Sequence, residues 1–198
     1  MSKKIAIIGK GNVGKALAEG LRRSGNEVRF GSKDPKESPR DAAAWGEVVI
    51  LAVPWGAHVQ IAETAGDAFD GKTVVDVSNI MTPSLELAIG FTTSGSEELQ
   101  KIIPKAKVVK AFNTVFAKHM STGKLLGERV TVLVAGDDPG SRETVRGLAD
   151  EIGFDAVDAG PLKSARYLEP LGMLNIILGY GQKMGTDIGF RLVKKAGA

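Results

Sequence analysis

A glycine-rich turn near the N-terminus has the spacing of a phosphate-binding loop. Gly9, Gly11 and Gly14 fit the pattern G-x-G-x-x-G directly after a short apolar run. In such a turn the first glycine permits a sharp bend, the second lets the backbone approach a pyrophosphate, and the third lets the following helix pack closely. The first N–H groups of that helix then point at the phosphates. The predicted dinucleotide-binding loop consists of Gly9, Lys10, Gly11, Asn12, Val13 and Gly14.

Two other interpretations of this loop are weaker. Four residues separate Gly9 from Gly14, and Lys15 follows, as in a nucleoside triphosphatase. Position 16 is alanine, however, so the hydroxyl group that would hold Mg²⁺ is missing. A plain structural turn is the other alternative, and the position of the pattern between a predicted strand and a predicted helix argues against it.

The residues that follow the second predicted strand favour NADP over NAD. Sites for NAD usually place a carboxylate there, about 20 residues beyond the turn, to accept a hydrogen bond from the ribose 2′-hydroxyl. This chain has Ser32 and Lys33 instead, which offer a hydrogen-bond donor and a positive charge to a 2′-phosphate. Lys10 would add a second cation, although a solvated surface position is the alternative for each lysine. Asp34 lies beyond the turn and is expected to cap the next helix.

Apolar segments alternate with amphipathic segments along the whole chain. Strands are predicted at residues 4–8, 27–30, 48–53, 73–77, 107–112, 129–135 and 156–158, and helices at 12–24, 40–45, 55–69, 96–103, 141–152 and 164–183. This alternation indicates βαβ units on a parallel sheet. We therefore expect an α/β fold, a Rossmann-type doubly wound, mainly parallel sheet extended by extra C-terminal strands and a capping helix. A single domain, 1–198, would comprise a dinucleotide-binding core at 1–118 and a sheet extension with a helical cap at 119–198.

Polar and aromatic residues follow several of the other predicted strands. Ligands of doubly wound sheets lie across the carboxyl ends of the strands, so these residues would complete the cleft. On the cofactor side we expect an apolar wall and two hydrogen-bonding side chains, formed by Val53, Pro54, Trp55, Ser78 and Asn79. On the acceptor side we expect Phe112, Asn113 and Thr114. The alternatives are that the tryptophan only packs in the core and that the two asparagines stabilise their own loops.

Composition excludes several kinds of chemistry. The chain has no cysteine, which excludes disulfides and thiolate sites, and its two histidines, His58 and His119, form no metal-binding spacing. His58 is the candidate for a proton-transfer role beside the cleft, and His119 is expected at the surface. No other catalytic side chain is predicted, because hydride transfer requires the alignment of two rings and the exclusion of water more than an acid or a base.

Length and charge limit the possible partners. The 198 residues suit one domain, and the net charge of +3 comes without a block of like charges, so no nucleic-acid partner is expected. The longest apolar run, 48–55, is too short to span a bilayer, and the apolar stretch 5–8 is too short for the apolar region of a secretory signal. We expect a cytoplasmic protein with a small-molecule partner and no membrane contact.

Several strings of residues together resemble a known family, the NADP-dependent reductases of the deazaflavin coenzyme F420. They are the glycine turn, Gly31-Ser32-Lys33, Val53-Pro54-Trp55, the string Val-Lys-Ala-Phe-Asn-Thr at 109–114 and the string Asp-Ala-Gly-Pro-Leu at 158–162. The same strings are similar to the cytosolic NADPH-oxidising domain of the STEAP metalloreductases. The resemblance covers nearly the whole chain. It implies that NADP(H) binds with its nicotinamide near Pro54, Ser78 and Asn79, and that a flavin-like ring stacks there and receives the hydride directly.

One part of the chain departs from the F420 reductases. The F420 reductases that this chain resembles have histidine at the position of Asn113 and proline at the position of Phe116. The pair Phe112-Asn113 is more similar to the metalloreductase domain, whose acceptor is a flavin. The resemblance therefore leaves both a flavin and F420 as co-substrates.

Three functional hypotheses follow. The first is an NADPH-dependent oxidoreductase that passes hydride to F420 or a flavin, as a homodimer formed through the C-terminal helix. The second is a reductase of small imines or ketones, although only about 35 residues follow Leu162, where such enzymes carry a long helical substrate domain. The third is a non-enzymatic NADP sensor or a reductase subunit whose partner brings the acceptor.

Overall fold

The computed structural model describes residues 2–82, 84–193 and 195. The strands are β1 (Lys4–Ile8), β2 (Glu27–Gly31), β3 (Val48–Leu51), β4 (Thr73–Asp76), β5 (Lys107–Lys110), β6 (Lys124–Leu125), β7 (Glu128–Arg129), β8 (Thr131–Gly136) and β9 (Asp155–Asp158). The helices are α1 (Asn12–Arg23), α2 (Pro39–Trp45), α3 (His58–Ala65), α4 (Gly95–Ile102), α5 (Ala117–Met120), α6 (Pro139–Ile152) and α7 (Ala165–Ile176).

One seven-stranded sheet organises the chain, in the order β2-β1-β3-β4-β5-β8-β9. Strands β1 to β5 are parallel, β8 runs antiparallel to β5, and β9 is parallel to β8. The predicted Rossmann-type, mainly parallel α/β sheet is therefore confirmed. The division at residue 118 into a core and an extension stays a prediction.

Apolar side chains cover both faces of the sheet. On one face, Leu17 and Leu21 of α1 and Leu148 of α6 pack against the strands. On the other face, Ala42 of α2 and Leu99 of α4 do the same. Because the central strands are buried on both faces, their sequences are continuous apolar runs rather than alternating ones.

The strand order places a switch point between β1 and β3. After β1 the chain crosses to β2 on one side, and after β2 it returns past β1 to β3 on the other side. The connections after β1 and β3 therefore diverge and leave a crevice at the carboxyl ends of these strands. Ligands of open α/β sheets bind at such crevices.

Some predicted boundaries differ from the structure. The predicted strand 129–135 begins only at Thr131, because Glu128–Arg129 pairs with Lys124–Leu125 in a separate hairpin. The predicted helix 164–183 ends its α-helical part at Ile176 and continues as a π-helical turn, Ile177–Gly181.

Two predictions about single residues are wrong. Asp34 does not cap α2: the hydroxyl of Ser38 accepts the hydrogen bond from the N–H of Asp41, and the Asp34 carboxylate accepts one from the N–H of Lys36. His119 is not at the surface but is buried, with its Nε2 atom 2.8 Å from the carbonyl oxygen of Thr186. Among the described residues, no helix is long and apolar enough to cross a bilayer, and no cluster of acidic or imidazole side chains could hold a metal ion.

Candidate functional site

The glycine turn joins β1 to α1, and each of its three glycines has its own role. Gly9 has a φ of +112°, and a Cβ atom there would lie 2.2 Å from the carbonyl oxygen of Ala52. A Cβ atom on Gly14 would lie 2.1 Å from the carbonyl oxygen of Gly9. A Cβ atom on Gly11 would meet nothing within 4 Å. The backbone at Gly11 is therefore open to a ligand, whereas Gly9 lets the turn pass close to the residue after β3 and Gly14 lets α1 pack against the turn.

The N-terminus of α1 suits a phosphate group. The helix follows Gly11 directly, no side chain caps it, and its first turn contains no acidic residue. The first N–H groups of a helix lack partners within the helix and carry its positive partial charge. In contrast, the side chains of Ser38, Ser94 and Asp138 cap α2, α4 and α6. The residues of the turn therefore fit the pyrophosphate of a dinucleotide.

The crevice at the switch point is an elongated cleft. Its larger part, of about 910 Å³, is lined by Gly9, Lys10, Gly11, Ser32, Lys33, Val53 and Pro54 among others. Its smaller part, of about 410 Å³, is lined by Asn12, Val13, Trp55, Ser78 and Asn79 among others. Gly11, Val53 and Pro54 line both parts, so the two adjoin each other beside the glycine turn. The structure thus brings together all the predicted cofactor-side residues except Gly14, which lies in the contact between β1 and α1.

The carboxylate of Glu37 contacts two of the residues that were predicted to bind the 2′-phosphate. Lys10 donates a hydrogen bond from Nζ to Oε1 of Glu37, and Ser32 donates one from Oγ to Oε2 at 2.6 Å. These bonds, first that of Lys10 and then that of Ser32, lower the pKa of the Glu37 carboxyl. Lys33 is exposed beside them. Glu37 was not predicted as part of the site, because it lies six residues beyond the end of β2 in the sequence.

The three predicted acceptor-side residues lie behind the lining of the cleft. Phe112 packs edge-on against Phe154 with ring centroids 5.7 Å apart. Asn113 is buried and donates hydrogen bonds from Nδ2 to Oδ1 of Asn79 at 3.1 Å and to the carbonyl oxygen of Leu168 at 2.8 Å. Thr114 is buried as well. Their contact with an acceptor stays a prediction, and the structure shows that Asn113 holds the loop of Asn79 against α7.

Gly172 of α7 makes this contact possible. A Cβ atom at position 172 would lie 2.5 Å from Oδ1 of Asn79 and 2.6 Å from Nδ2 of Asn113. The sequence analysis did not single out this glycine. Its signal is a glycine inside a predicted helix, which costs helix stability and therefore needs a packing reason.

A fully buried group of charged side chains lies behind the part of the cleft wall that contains Ser78. Lys110, at the end of β5, donates from Nζ to Oδ2 of Asp76 at 3.0 Å and to the carbonyl oxygen of Ser78 at 2.7 Å, and it lies 3.1 Å from Oε1 of Glu169. Asp76 also accepts hydrogen bonds from the hydroxyl of Ser96 at 2.6 Å and from the N–H of Ser78 at 2.9 Å. Since Ser78 lines the cleft, this group fixes part of the wall.

The charges of this buried group depend on each other. Burial alone would raise the pKa of Asp76, but the Lys110 ammonium, His58 and the hydroxyl of Ser96 hold it well below its ordinary value. Burial alone would lower the pKa of Lys110, but Asp76 and Glu169 raise it. Lys110 and Asp76 are therefore ionised together. None of these three charged residues was predicted to belong to the site, although Lys110 lies in the string 109–114 that carries the family resemblance.

His58 lies beside this group rather than in the lining of the cleft. Its side chain is 2% exposed, and its Nε2 atom is 3.8 Å from Oδ1 of Asp76. Neither ring nitrogen has a hydrogen-bond partner among the described residues. Burial lowers the pKa of His58, so its ring is neutral at pH 7. A proton-transfer role for His58 stays a prediction.

Comparison with known proteins agrees with this geometry. A family model described as "NADP oxidoreductase coenzyme F420-dependent" matches residues 4–80. The F420-dependent NADP reductase of Methanocaldococcus jannaschii is 32% identical over 162 residues, which cover 75% of this chain and 70% of that protein. This chain belongs to the F420-dependent NADP reductase family.

This member of the family is also similar to two further proteins. A crystal structure from Arthrobacter sp. FB24, of a candidate F420-dependent NADP reductase, matches with a TM-score of 0.89 at 29% identity and covers 98% of this chain and 100% of that chain. Metalloreductase STEAP3 of Rattus norvegicus is 34% identical over 185 residues, which cover 86% of this chain and 37% of that protein. The chain thus spans little more than a third of the metalloreductase. Both predicted resemblances are confirmed.

Proposed function

We propose that this protein transfers a hydride between NADP(H) and a flavin or deazaflavin acceptor such as F420. Its family membership makes it an NADP-dependent oxidoreductase, as predicted. The observation that carries the proposal is the cleft at the switch point, whose two adjoining parts are lined by Ser32 in one, by Asn79 in the other and by Gly11 in both. Such a cleft suits a dinucleotide better than a mononucleotide, because it lies on both sides of the phosphate-binding turn.

Different parts of the cleft would hold different parts of the cofactor. Gly11 and the N-terminus of α1 would hold the pyrophosphate, and Lys10, Ser32 and Lys33 would hold the 2′-phosphate. The nicotinamide would lie toward Pro54 and Asn79, as the family resemblance implies.

NADP(H) supplies the hydride, so the chain itself need not donate or accept a proton. Its contribution is position and the exclusion of water. Trp55 and Val53 give the smaller part of the cleft an apolar wall. The buried group around Lys110 keeps the loop of Ser78 in place, and a fixed wall is what the alignment of two planar rings requires.

The decisive experiment is the anaerobic oxidation of NADPH by the purified chain with F420, FAD and FMN offered separately. We expect turnover with at least one of the three acceptors and a clear preference over NADH. NADPH binding without turnover would reject hydride transfer by the isolated chain. It would favour an NADP sensor or a subunit whose partner brings the acceptor.

A pair of variants tests the assignment of the 2′-phosphate. Lys33→Asp removes a cation from the lining of the cleft, and Lys36→Asp makes the same change three residues away, at an exposed side chain outside that lining. Lys33→Asp should weaken NADPH about tenfold or more and leave NADH nearly unchanged, since a hydrogen bond to a charged group contributes about 1.5–3 kcal/mol. Lys36→Asp should have a much smaller effect. An equal loss of both nucleotides in Lys33→Asp would show that Lys33 does not contact the phosphate.

A further inference from the structure

Glu37 accepts hydrogen bonds from two of the three side chains that the proposed function assigns to the 2′-phosphate. Lys10 donates to one oxygen of its carboxylate, and Ser32 donates to the other. The hydroxyl of Ser32 also accepts a hydrogen bond from the N–H of Asp34 at 3.1 Å, and its own proton is donated to Glu37. The carboxylate therefore lies where an anionic group would find its donors.

The backbone places Glu37 there. The N–H of Ser32 donates to the carbonyl oxygen of Glu37 at 2.7 Å, and the N–H of Glu37 donates to the carbonyl oxygen of Asp34 at 2.9 Å. These bonds close the turn after β2 and return residue 37 to the side of residue 32. The Glu37 side chain is 25% exposed, against 45% for Lys10, so water only partly screens the pair.

The two forms of the cofactor differ at this point in charge. A 2′-phosphate and a carboxylate are both anions, and both accept hydrogen bonds from Lys10 and Ser32, so they compete for the same donors. A 2′-hydroxyl is neutral and can donate to a carboxylate, as in sites that prefer NAD. Glu37 therefore opposes one form of the cofactor and is compatible with the other.

We propose that Glu37 is a specificity-determining residue that weakens NADPH relative to NADH by competing with the 2′-phosphate for Lys10 and Ser32. This inference rests on the proposed binding of NADP(H). It also predicts the direction of change. Removing the carboxylate should increase the preference for NADPH over NADH, because a carboxylate near the ribose 2′ position favours NAD.

The test measures binding without any acceptor. Adenosine 2′,5′-bisphosphate and adenosine 5′-monophosphate are titrated calorimetrically into the wild type and into Glu37→Gln, which keeps the shape of the side chain and removes its charge. We expect the bisphosphate to bind roughly tenfold more tightly to the variant, because the neutral amide holds Lys10 and Ser32 more weakly than the carboxylate does, and the monophosphate to change less than about twofold. NADPH and NADH should follow the same pattern.

Two controls separate competition from a general charge effect. Glu47→Gln removes one exposed carboxylate before β3, at the edge of the sheet opposite the cleft, and should leave both ligands unchanged. In a Lys10→Met background, Glu37→Gln should gain much less than in the wild type, because the contested donor is gone.

The outcomes are distinct. If Glu37→Gln binds the bisphosphate no more tightly than the wild type, or tightens both ligands equally, Glu37 does not set the preference. If the wild type binds neither NADPH nor the bisphosphate, the proposed function itself fails.

Discussion

Lys110→Met would test whether the buried charges under the cleft form one unit. The substitution keeps an unbranched side chain of similar length and removes the ammonium group. Lys110 is fully buried, and its Nζ atom has three acceptors within 3.1 Å: Asp76, Ser78 and Glu169. Because an ammonium group has three donors, each of them is used.

The loss of stability in Lys110→Met can be estimated from the hydrogen bonds that the two buried carboxylates keep. Asp76 keeps its hydrogen bonds from Ser78 and Ser96, and Glu169 keeps those from the N–H groups of Gly95 and Ser96 at 3.0 and 3.3 Å. Both carboxylates, however, lose their only buried cation among the described residues. Breaking a buried ion pair by removing one partner costs about 3–5 kcal/mol, which is a large part of the roughly 5–15 kcal/mol that stabilises a typical domain.

Urea unfolding followed by circular dichroism measures this loss, and the chain contains a matched control. Lys107 lies in the same strand, is 47% exposed and forms an ion pair with Asp138 at 3.3 Å. Lys107→Met should cost less than about 1 kcal/mol, as exposed pairs do. If Lys110→Met costs no more than Lys107→Met, the three charges are not desolvated and do not fix the loop of Ser78.

The remaining predictions concern the turn, the buried histidine and the last helix. Gly14→Ala places a Cβ atom 2.1 Å from the carbonyl oxygen of Gly9 and should weaken NADPH at least about tenfold by calorimetry, whereas Gly147→Ala, where a Cβ atom meets nothing within 4 Å, should leave binding unchanged. Because burial lowers the pKa of His58, the unfolded chain takes up the proton first as the pH falls below about 6.5. The free energy of unfolding should therefore fall by up to about 1.4 kcal/mol per pH unit there, and His58→Gln should flatten this slope; parallel curves would contradict the assignment. Finally, we propose that the exposed apolar side chains of Leu174 and Ile177 pair two copies of the chain, so the wild type should be a dimer in light scattering and Leu174→Glu a monomer. A monomeric wild type would refute this pairing.

The fold and the cofactor side of the cleft could be predicted because their signals are local. A buried parallel strand is a continuous apolar run, and the glycine turn follows the first of these runs directly, so spacing alone placed Gly9 and Gly11. The residues after β3 and β4 reached the cleft for a simple reason: all parallel strands of one sheet end at the same edge.

The position of Glu37 beside Ser32 could not be predicted from the local sequence. The residues next to β2 contain no carboxylate other than Asp34, and this pattern favoured a site for NADP. The turn from Ser32 to Glu37 then brings a carboxylate back to the same place. The course of such a turn depends on a few backbone hydrogen bonds that hydrophobic periodicity does not predict.

The buried charges did leave a signal in the sequence. Lysine and aspartate are almost never fully buried unless they are paired, yet Asp76 and Lys110 each end an apolar strand. In the sheet, β4 and β5 are neighbours, and Asp76 stands in register with Lys110. Opposite charges at the ends of two adjacent buried strands therefore predict an ion pair once the strand order is known. The third partner, Glu169, belongs to α7, and no local sequence pattern shows that this helix packs next to Lys110. This is why the support under the cofactor-side wall can be partly inferred from the strands, while its closure by the last helix cannot.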